Sequence, residues 1–235
     1  PLVNHDPNLV AALLKLANSV AYRRGKPVSS VHEAIAHIGL RGFSSLLWAF
    51  GSDSVLREKY QQSPLFTSHA LETADLALQL ARQFCPAEAE TAFAGGLLHD
   101  LWESIISAHQ NRFQEIGRQL EKQGKIPSWL VEILGFGLDH AELGGMVAEH
   151  WNFPEQLVDI IKNHHCPSKS THPSMLSAII HLADLSPKIL DGSYPLYLLD
   201  PAVEEKLCLK TEEQIQATLN KHLKTLNAKL AKTPR

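Results

Sequence analysis

Residues 94–100 read Ala94-Gly95-Gly96-Leu97-Leu98-His99-Asp100, and the fold turns on this stretch. Five small or apolar residues run straight into an imidazole and a carboxylate. The paired glycines let a neighbouring helix come close, as helix-on-helix packing requires. A His-Asp pair at the end of such a run is costly to bury alone, so the elements around it must supply partners.

Those partners occur at helical spacing on both sides. His69 shares a face with Thr73, Leu76 and Leu80, at offsets of four, seven and eleven, which turns its imidazole inward. His140 lies in line with Leu143, Val147 and Trp151, and His164-His165 closes a segment whose inner face is Leu157, Val158, Ile160 and Ile161. Asp184 follows Ile180 by four residues in Ile179-Ile180-His181-Leu182-Ala183-Asp184, where a carboxylate wants a cation. His69, His99, Asp100, His140, His164, His165 and Asp184 thus point inward from five separate helical segments.

Two readings of this set stand side by side: a hydrogen-bonded histidine core, or a shared divalent ion. Imidazole nitrogens with carboxylates are a usual ligand set for Zn, Mn or Fe, and one carboxylate can bridge two ions. Converging groups of this chemistry are hard to satisfy by hydrogen bonding alone, which favours the metal. The other histidines, His5, His32, His37, His109, His150, His172, His181 and His222, read as caps, loop residues or members of solvated faces. Cys166 reads as a half-buried free thiol.

The rest of the chain is helical in pattern, and strand-like alternation is scarce. Asp6-Pro7 is an N-cap followed by a proline at the first helical position, with Leu9, Leu13, Leu16, Ala17 and Val20 behind it. Ser30 to Glu33 has capping-box form and Gly39 is placed to stop that helix. Phe43, Leu46, Leu47 and Phe50 suggest a third helix, and Gly51 to Pro64 a linking region. Asp191 to Pro201, with Gly192 and Pro195, reads as a loop; Thr211 to Gln214 opens a final helix with Ile215, Leu219, Leu226 and Leu230 on one stripe. The expectation is an all-α fold: an N-terminal helical lobe over 1–60, a helical core over 61–190, and a loop with a C-terminal docking helix over 191–235.

Composition excludes several classes. A 44% hydrophobic, 20% charged chain of 235 residues buries a real core. A net charge of -3 offers no broad basic surface for nucleic-acid phosphates. No apolar run approaches the roughly 18 residues that span a bilayer, so no membrane role is expected. Three scattered cysteines, Cys85, Cys166 and Cys208, without a C-x-x-C pair suit a reducing compartment, and a cytoplasmic location is expected.

The order His69, His99-Asp100, Asp184 resembles the H…HD…D signature of the HD superfamily of metal-dependent phosphohydrolases. His140 and His164-His165 are similar to the additional histidines of two-metal members such as the HD-GYP phosphodiesterases, which cleave cyclic di-GMP. Asp6-Pro7-x-Leu9, Leu13-Leu14-Lys15-Leu16-Ala17-Asn18-Ser19, Val28-Ser29-Ser30-Val31 and Ala34-Ile35-x-x-Ile38-Gly39 resemble the opening of the HDOD domain, the HD-related output domain of bacterial signalling proteins. Gly96-Leu97-Leu98-His99-Asp100, His140-Ala141-Glu142-Leu143-Gly144, Trp151-Asn152-Phe153-Pro154, His164-His165-Cys166-Pro167 and Ala183-Asp184 continue that pattern, so the resemblance spans about residues 5 to 190.

The resemblance implies an HD-like all-helical core and a regulatory role through a protein partner or a nucleotide. It also implies one or two divalent ions (Fe, Mn or Zn), one held by His69, His99, Asp100 and Asp184, the other by Asp100, His140, His164 and His165. Asp100 would bridge them and would be the catalytic carboxylate of an enzyme acting on a nucleotide or phosphate ester. Two departures argue against such activity. Where catalytic relatives carry Gly and then a phosphate-holding Lys after the HD pair, this chain has Leu101-Trp102-Glu103, whose carboxylate repels an anion and whose indole is expected to fill the pocket. The Gly-Tyr-Pro stretch of HD-GYP enzymes is replaced by Cys166-Pro167-Ser168-Lys169.

Overall fold

The computed structural model describes residues 6–18, 22, 26–39, 43, 64–103, 106, 115, 117, 119, 126–172 and 175–230, of which 64–67 and 225–230 are described by backbone alone. Helices joined by turns make up the described residues, with no strand among them, as the sequence pattern predicts. Helix α1 (Pro7–Ala17) starts where Asp6 accepts the N–H groups of Asn8 and Leu9 at 3.0 and 3.2 Å, with Pro7 supplying a residue that needs no donor partner. Helix α2 (31–39) is capped by Ser30, whose Oγ accepts the Glu33 N–H at 3.2 Å, and it ends at Gly39 with φ of +67°. Asn18 is the C-cap of α1 and its side chain also ties that helix to the segment leading into α2. Buried at the end of α1, its amide donates to the Val28 carbonyl at 3.0 Å and accepts the Val28 N–H at 2.8 Å.

The core is formed by α3 (Pro64–Phe84), α4 (Ala89–Leu98), α7 (Glu155–Asn163) and α8 (Leu176–Asp184), with α6 (His140–His150) along α7 and α1 against α4. Leu80, Leu97, Leu98, Leu157, Ile160, Ile161, Ile179 and Ile180 are wholly withdrawn from solvent there. Burying each stabilises the fold by about 1.5–3 kcal/mol before ordering costs are counted. Gly96 sets the spacing of α3 and α4: a Cβ on it would lie 2.8 Å from the Ala74 Cα. Gly95 meets the Ile160 side chain in the same way from α7, so the double glycine brings two helices close, as its sequence suggests.

Trp151-Asn152-Phe153-Pro154 is a helix stop followed by a helix start. Asn152 takes the left-handed conformation, with φ of +57°. Its N–H donates to the Glu149 carbonyl and that of Phe153 to the Ala148 carbonyl, both at 3.0 Å, while the Phe153 ring is buried. Pro154 then opens α7, whose C-cap is His164.

Helix α8 runs through Leu185 into the short α9 (Ser186–Leu190), and α11 (Glu212–Leu230) closes the described fold. The Gln214 side chain accepts the N–H groups of Lys210 and Thr211, and Thr211 accepts that of Gln214, the reciprocal cap expected there. Helix α11 docks on α3 through buried Leu219 and through Gln83, whose Oε1 accepts from Lys221 and His222 at 3.0 Å each. His222 therefore belongs to a packed contact and not to a solvated face. The Asp191 to Pro201 stretch contains a 3-10 turn at Leu196–Leu198, and beyond it the sequence reading missed a helix, α10 (Pro201–Leu207). Its signal was legible: Asp200-Pro201 repeats the Asp6-Pro7 start, and Asp200 accepts the Ala202 N–H at 2.9 Å.

Among the described residues no helix is long and apolar enough to cross a membrane. Of the proposed third helix only Phe43 is described, and it is helical; Leu46, Leu47, Phe50 and the linking residues 51–63 lie outside the described residues, as do His5, Val20 and His109. The side chains of Leu226 and Leu230 lie outside them as well.

Candidate metal centre

Five chain segments deliver the seven inward-pointing residues to one place. His69 comes from the first turns of α3, His99-Asp100 from the end of α4, His140 from the start of α6, His164-His165 from the end of α7, and Asp184 from the last residue of α8. Helix ends suit this task, since each presents a side chain at a fixed height without the helix entering the cavity. The residues form two groups in which the potential ligand atoms all lie within 4.8 Å of one another: His69, His99, Asp100 and Asp184, and His140, His164 and His165.

Asp100 stands between the groups and divides its oxygens. Its Oδ2 lies 3.1 Å from His99 Nε2 and 3.6 Å from His69 Nε2, whereas its Oδ1 lies 3.1 Å from His140 Nε2 and 3.3 Å from His164 Nε2. Asp184 Oδ1 adds a contact of 3.1 Å to His69 Nε2. On the other side, the Nε2 atoms of His140 and His165 are 2.9 Å apart.

Tautomers follow from the outer hydrogen bonds. His99 donates from Nδ1 to the Gly96 carbonyl and His164 from Nδ1 to the Ile161 carbonyl, both at 2.8 Å. Each Nε2 is completely buried and has no hydrogen-bond partner, despite the nearby Asp100 oxygens. A neutral His164 turns a bare lone pair towards the Asp100 carboxylate, and His99 needs a buried proton to pair there; both are costly in a hydrogen-bonded core and both are met by a cation. The donor set, two nitrogens with two carboxylates beside three nitrogens and the shared Asp100, fits Zn, Mn or Fe.

Charge in the cluster follows the carboxylates. Hydrogen bonding with Asp100 and then Asp184 raises the His69 pKa to about 9. Burial opposes a charge on His99, yet Asp100 and Asp184 draw its pKa up to about 10. His140 is likewise raised, burial being outweighed by hydrogen bonds to Asp100 and Glu132. Burial would raise Asp100 and Asp184, but the surrounding imidazoles hold both well below the usual carboxylate range. His164 and His165 go the other way: burial lowers both, and the neighbouring His164 pushes His165 further down.

Three residues around the cluster were not singled out from sequence. Glu132, buried on α5 (Ser128–Phe136), accepts both the Nδ1 proton and the backbone N–H of His140, at 2.8 and 2.7 Å. A lone glutamate in a short helix gives no sequence signal for this role. Trp129, on the same helix, stacks on His165 with ring centroids 5.8 Å apart and planes at 19°. His181, read as a cap, loop or surface histidine, is instead buried in α8 and donates from Nδ1 to the His164 carbonyl at 2.8 Å. It falls on the apolar run ending at Asp184, which is the signal that could have found it.

The Trp102 indole packs on α6. It is buried against the backbone of Gly144, where an added Cβ would meet its ring at 2.6 Å, and it packs beside Trp151 at a centroid distance of 6.2 Å. Glu103 lies closer to the cluster in electrostatic terms: burial raises its pKa, and the charge of Asp100 adds to the effect. Cys166 is a half-buried free thiol and belongs to neither group.

The family model described as the HDOD domain matches residues 1–167. An uncharacterised protein of Treponema pallidum (strain Nichols) is 27% identical over 219 residues, covering 92% of this chain but 43% of that protein, so the chain spans less than half the length of this curated relative. Among solved structures, the MmoQ response regulator of Methylococcus capsulatus str. Bath superposes with a TM-score of 0.65 at 21% identity, covering 93% of this chain and 87% of that one. An HDOD domain protein of unknown function from Geobacter sulfurreducens gives 0.54 at 24% identity, with coverage of 98% and 84%. A virulence factor of Campylobacter jejuni subsp. jejuni gives 0.64 at 18% identity, with coverage of 95% and 86%. At these identities the likenesses establish the fold, and the family match establishes more: the chain belongs to the HDOD domain family.

Proposed function

We propose that this chain is a cytoplasmic bacterial signal-transduction module that acts through a protein partner and keeps a divalent-metal centre as part of its structure. Support for the metal comes from the bare, buried Nε2 atoms of His99 and His164 facing Asp100. His69, His99, Asp100 and Asp184 would hold one ion, and His140, His164, His165 and the second oxygen of Asp100 another. Support for a role in regulation comes from Glu103. It stands where the resemblance places a phosphate-holding lysine, and an acidic side chain there supplies no cation to hold a phosphate. The test is turnover by the metal-loaded protein. With Mn or Fe supplied, we expect no hydrolysis of nucleotides or phosphate esters and retention of a specific protein partner; robust metal-dependent turnover would refute the regulatory reading.

One observation favours a second reading, a metal-dependent phosphohydrolase: all seven candidate ligands converge, with none replaced. A bound divalent cation would there supply Lewis-acid stabilisation of charge on phosphate oxygens. The chain's own contribution would be to orient His140 through Glu132 and to keep His164 neutral through its carbonyl partner and burial. Asp100→Ala would then remove metal uptake and turnover together, and unchanged turnover in that variant would exclude this mechanism.

A further inference from the structure

Segment 164–168 carries two candidate ligands, His164 and His165, and it is held at both ends by one connected unit. At its start, His181 donates from Nδ1 to the His164 carbonyl at 2.8 Å. That donation fixes the tautomer and leaves His181 Nε2 as an acceptor, which receives the backbone N–H of Asp200 at 3.4 Å. At its end, the Asp200 carboxylate accepts the Ser168 N–H at 3.0 Å and the Ser168 hydroxyl at 2.8 Å. The same carboxylate caps α10 through Ala202. Asp200 therefore touches His181 through its backbone and Ser168 through its side chain, closing a loop of contacts around the ligand-bearing turn.

Neither His181 nor Asp200 faces the cluster, and both lie beyond the residues matched by the family model. Between their anchor points the chain makes the turn Cys166-Pro167-Ser168, whose local bonds include Cys166 N–H to Asn163 at 3.0 Å and Lys169 N–H to Cys166 at 2.9 Å. Such short-range bonds fix the shape of the turn but not its position relative to α3, α4 and α6. His164 rides on the end of α7, and the turn beyond it is further held by α8 at one end and by the start of α10 at the other.

We infer that His181 and Asp200 are positioning residues for the second metal position, and that the segment after α9 completes that position by clamping the turn that bears His164 and His165. The inference rests on the metal reading above. Outer contacts of this kind typically contribute about 10- to 100-fold to metal affinity by holding a ligand's orientation. Among the described residues the hydrogen bonds of the clamp reach none of His69, His99, Asp100 and Asp184, but His181 shares α8 with Asp184, so Asp200 is the arm whose loss should separate the two positions most cleanly.

The test is titration of the whole chain with Mn2+ alone, reading stoichiometry and the electron paramagnetic resonance spectrum. Wild-type protein is expected to take up two ions, one per group, coupled through Asp100. Asp200→Ala and His181→Gln are expected to weaken the second ion by about 10- to 100-fold and to leave an uncoupled single-ion spectrum. Ser168→Ala, an exposed change that spares α10, should shift the second affinity in the same direction by less, and Asp200→Asn, which keeps an acceptor, should restore part of it. Variants that bind both ions as wild type does, or that lose both together in step with thermal stability, overturn the clamp alone. Wild-type protein that takes up no Mn2+ overturns the clamp and the metal reading together.

Discussion

His140 and His165 bring their Nε2 atoms to 2.9 Å, with their rings nearly perpendicular at 85°. Two imidazole nitrogens at that separation hold one proton between them or share a cation, because two protonated rings would repel. His140 is the protonated partner, being held by Asp100 and Glu132, while burial and the neighbouring His164 keep His165 neutral. The same nitrogens cannot bind a proton and a metal at once, so coordination must expel protons.

Proton release is the first consequence. At pH 7 His69 and His99, with pKa values near 9 and 10, are protonated in the ion-free protein. Since a raised pKa means the proton is bound until the pH climbs past it, metal affinity should keep rising from pH 6 through about pH 10 and level off only above it. Mn2+ titrations in buffers of differing ionisation enthalpy should show more than one proton released per chain at pH 7, falling as pH increases. An uptake indifferent to pH would contradict the charge distribution described.

Glu132→Gln tests the orientation of His140. The variant keeps the size of the side chain but weakens an acceptor that holds both Nδ1 and the backbone N–H of His140. The expected result is a loss of about 10- to 100-fold in affinity for one of the two ions, with the other retained. Stoichiometric titration distinguishes this from a general loss of binding.

Gly96→Ala tests the helix spacing beneath the site. The new Cβ would sit 2.8 Å from the Ala74 Cα, a backbone atom that cannot give way without moving α3. We expect a destabilisation of about 1–3 kcal/mol in chemical or thermal unfolding. Metal affinity should fall as well, because α3 carries His69 and α4 carries His99.

Asp100→Asn separates the two candidate roles of this residue from simple burial. The amide preserves volume but removes the charge that raises His69 and His99, and one of its two positions becomes a donor. Both ions should be lost, and the imidazole titrations, followed by proton magnetic resonance, should shift downward towards ordinary histidine values.

Much of this site was legible in the sequence because helical spacing carries direction. The offsets from His69 to Thr73, Leu76 and Leu80 place an imidazole above three buried positions, and the structure keeps all three buried. Gly95-Gly96 announced close packing, and Trp151-Asn152-Phe153-Pro154 announced a stop and a start. The outer residues were less legible for a physical reason. Glu132 meets His140 across a turn, and His181 meets a carbonyl at 17 residues' separation, so no local period links either to its partner. Trp102 stands two residues past Asp100, and the turn over 99–102 carries its ring to Gly144 and Trp151, a direction that helical spacing does not give.

His69, His99, Asp100, His140, His164, His165 and Asp184 converge as candidate ligands for divalent cations. Elemental emission analysis of protein purified without added metal tests that role most directly. Fe, Mn or Zn is expected at one or two ions per chain, and none in Asp100→Ala. Wild-type protein free of these metals, and still free after incubation with each of them, would contradict it.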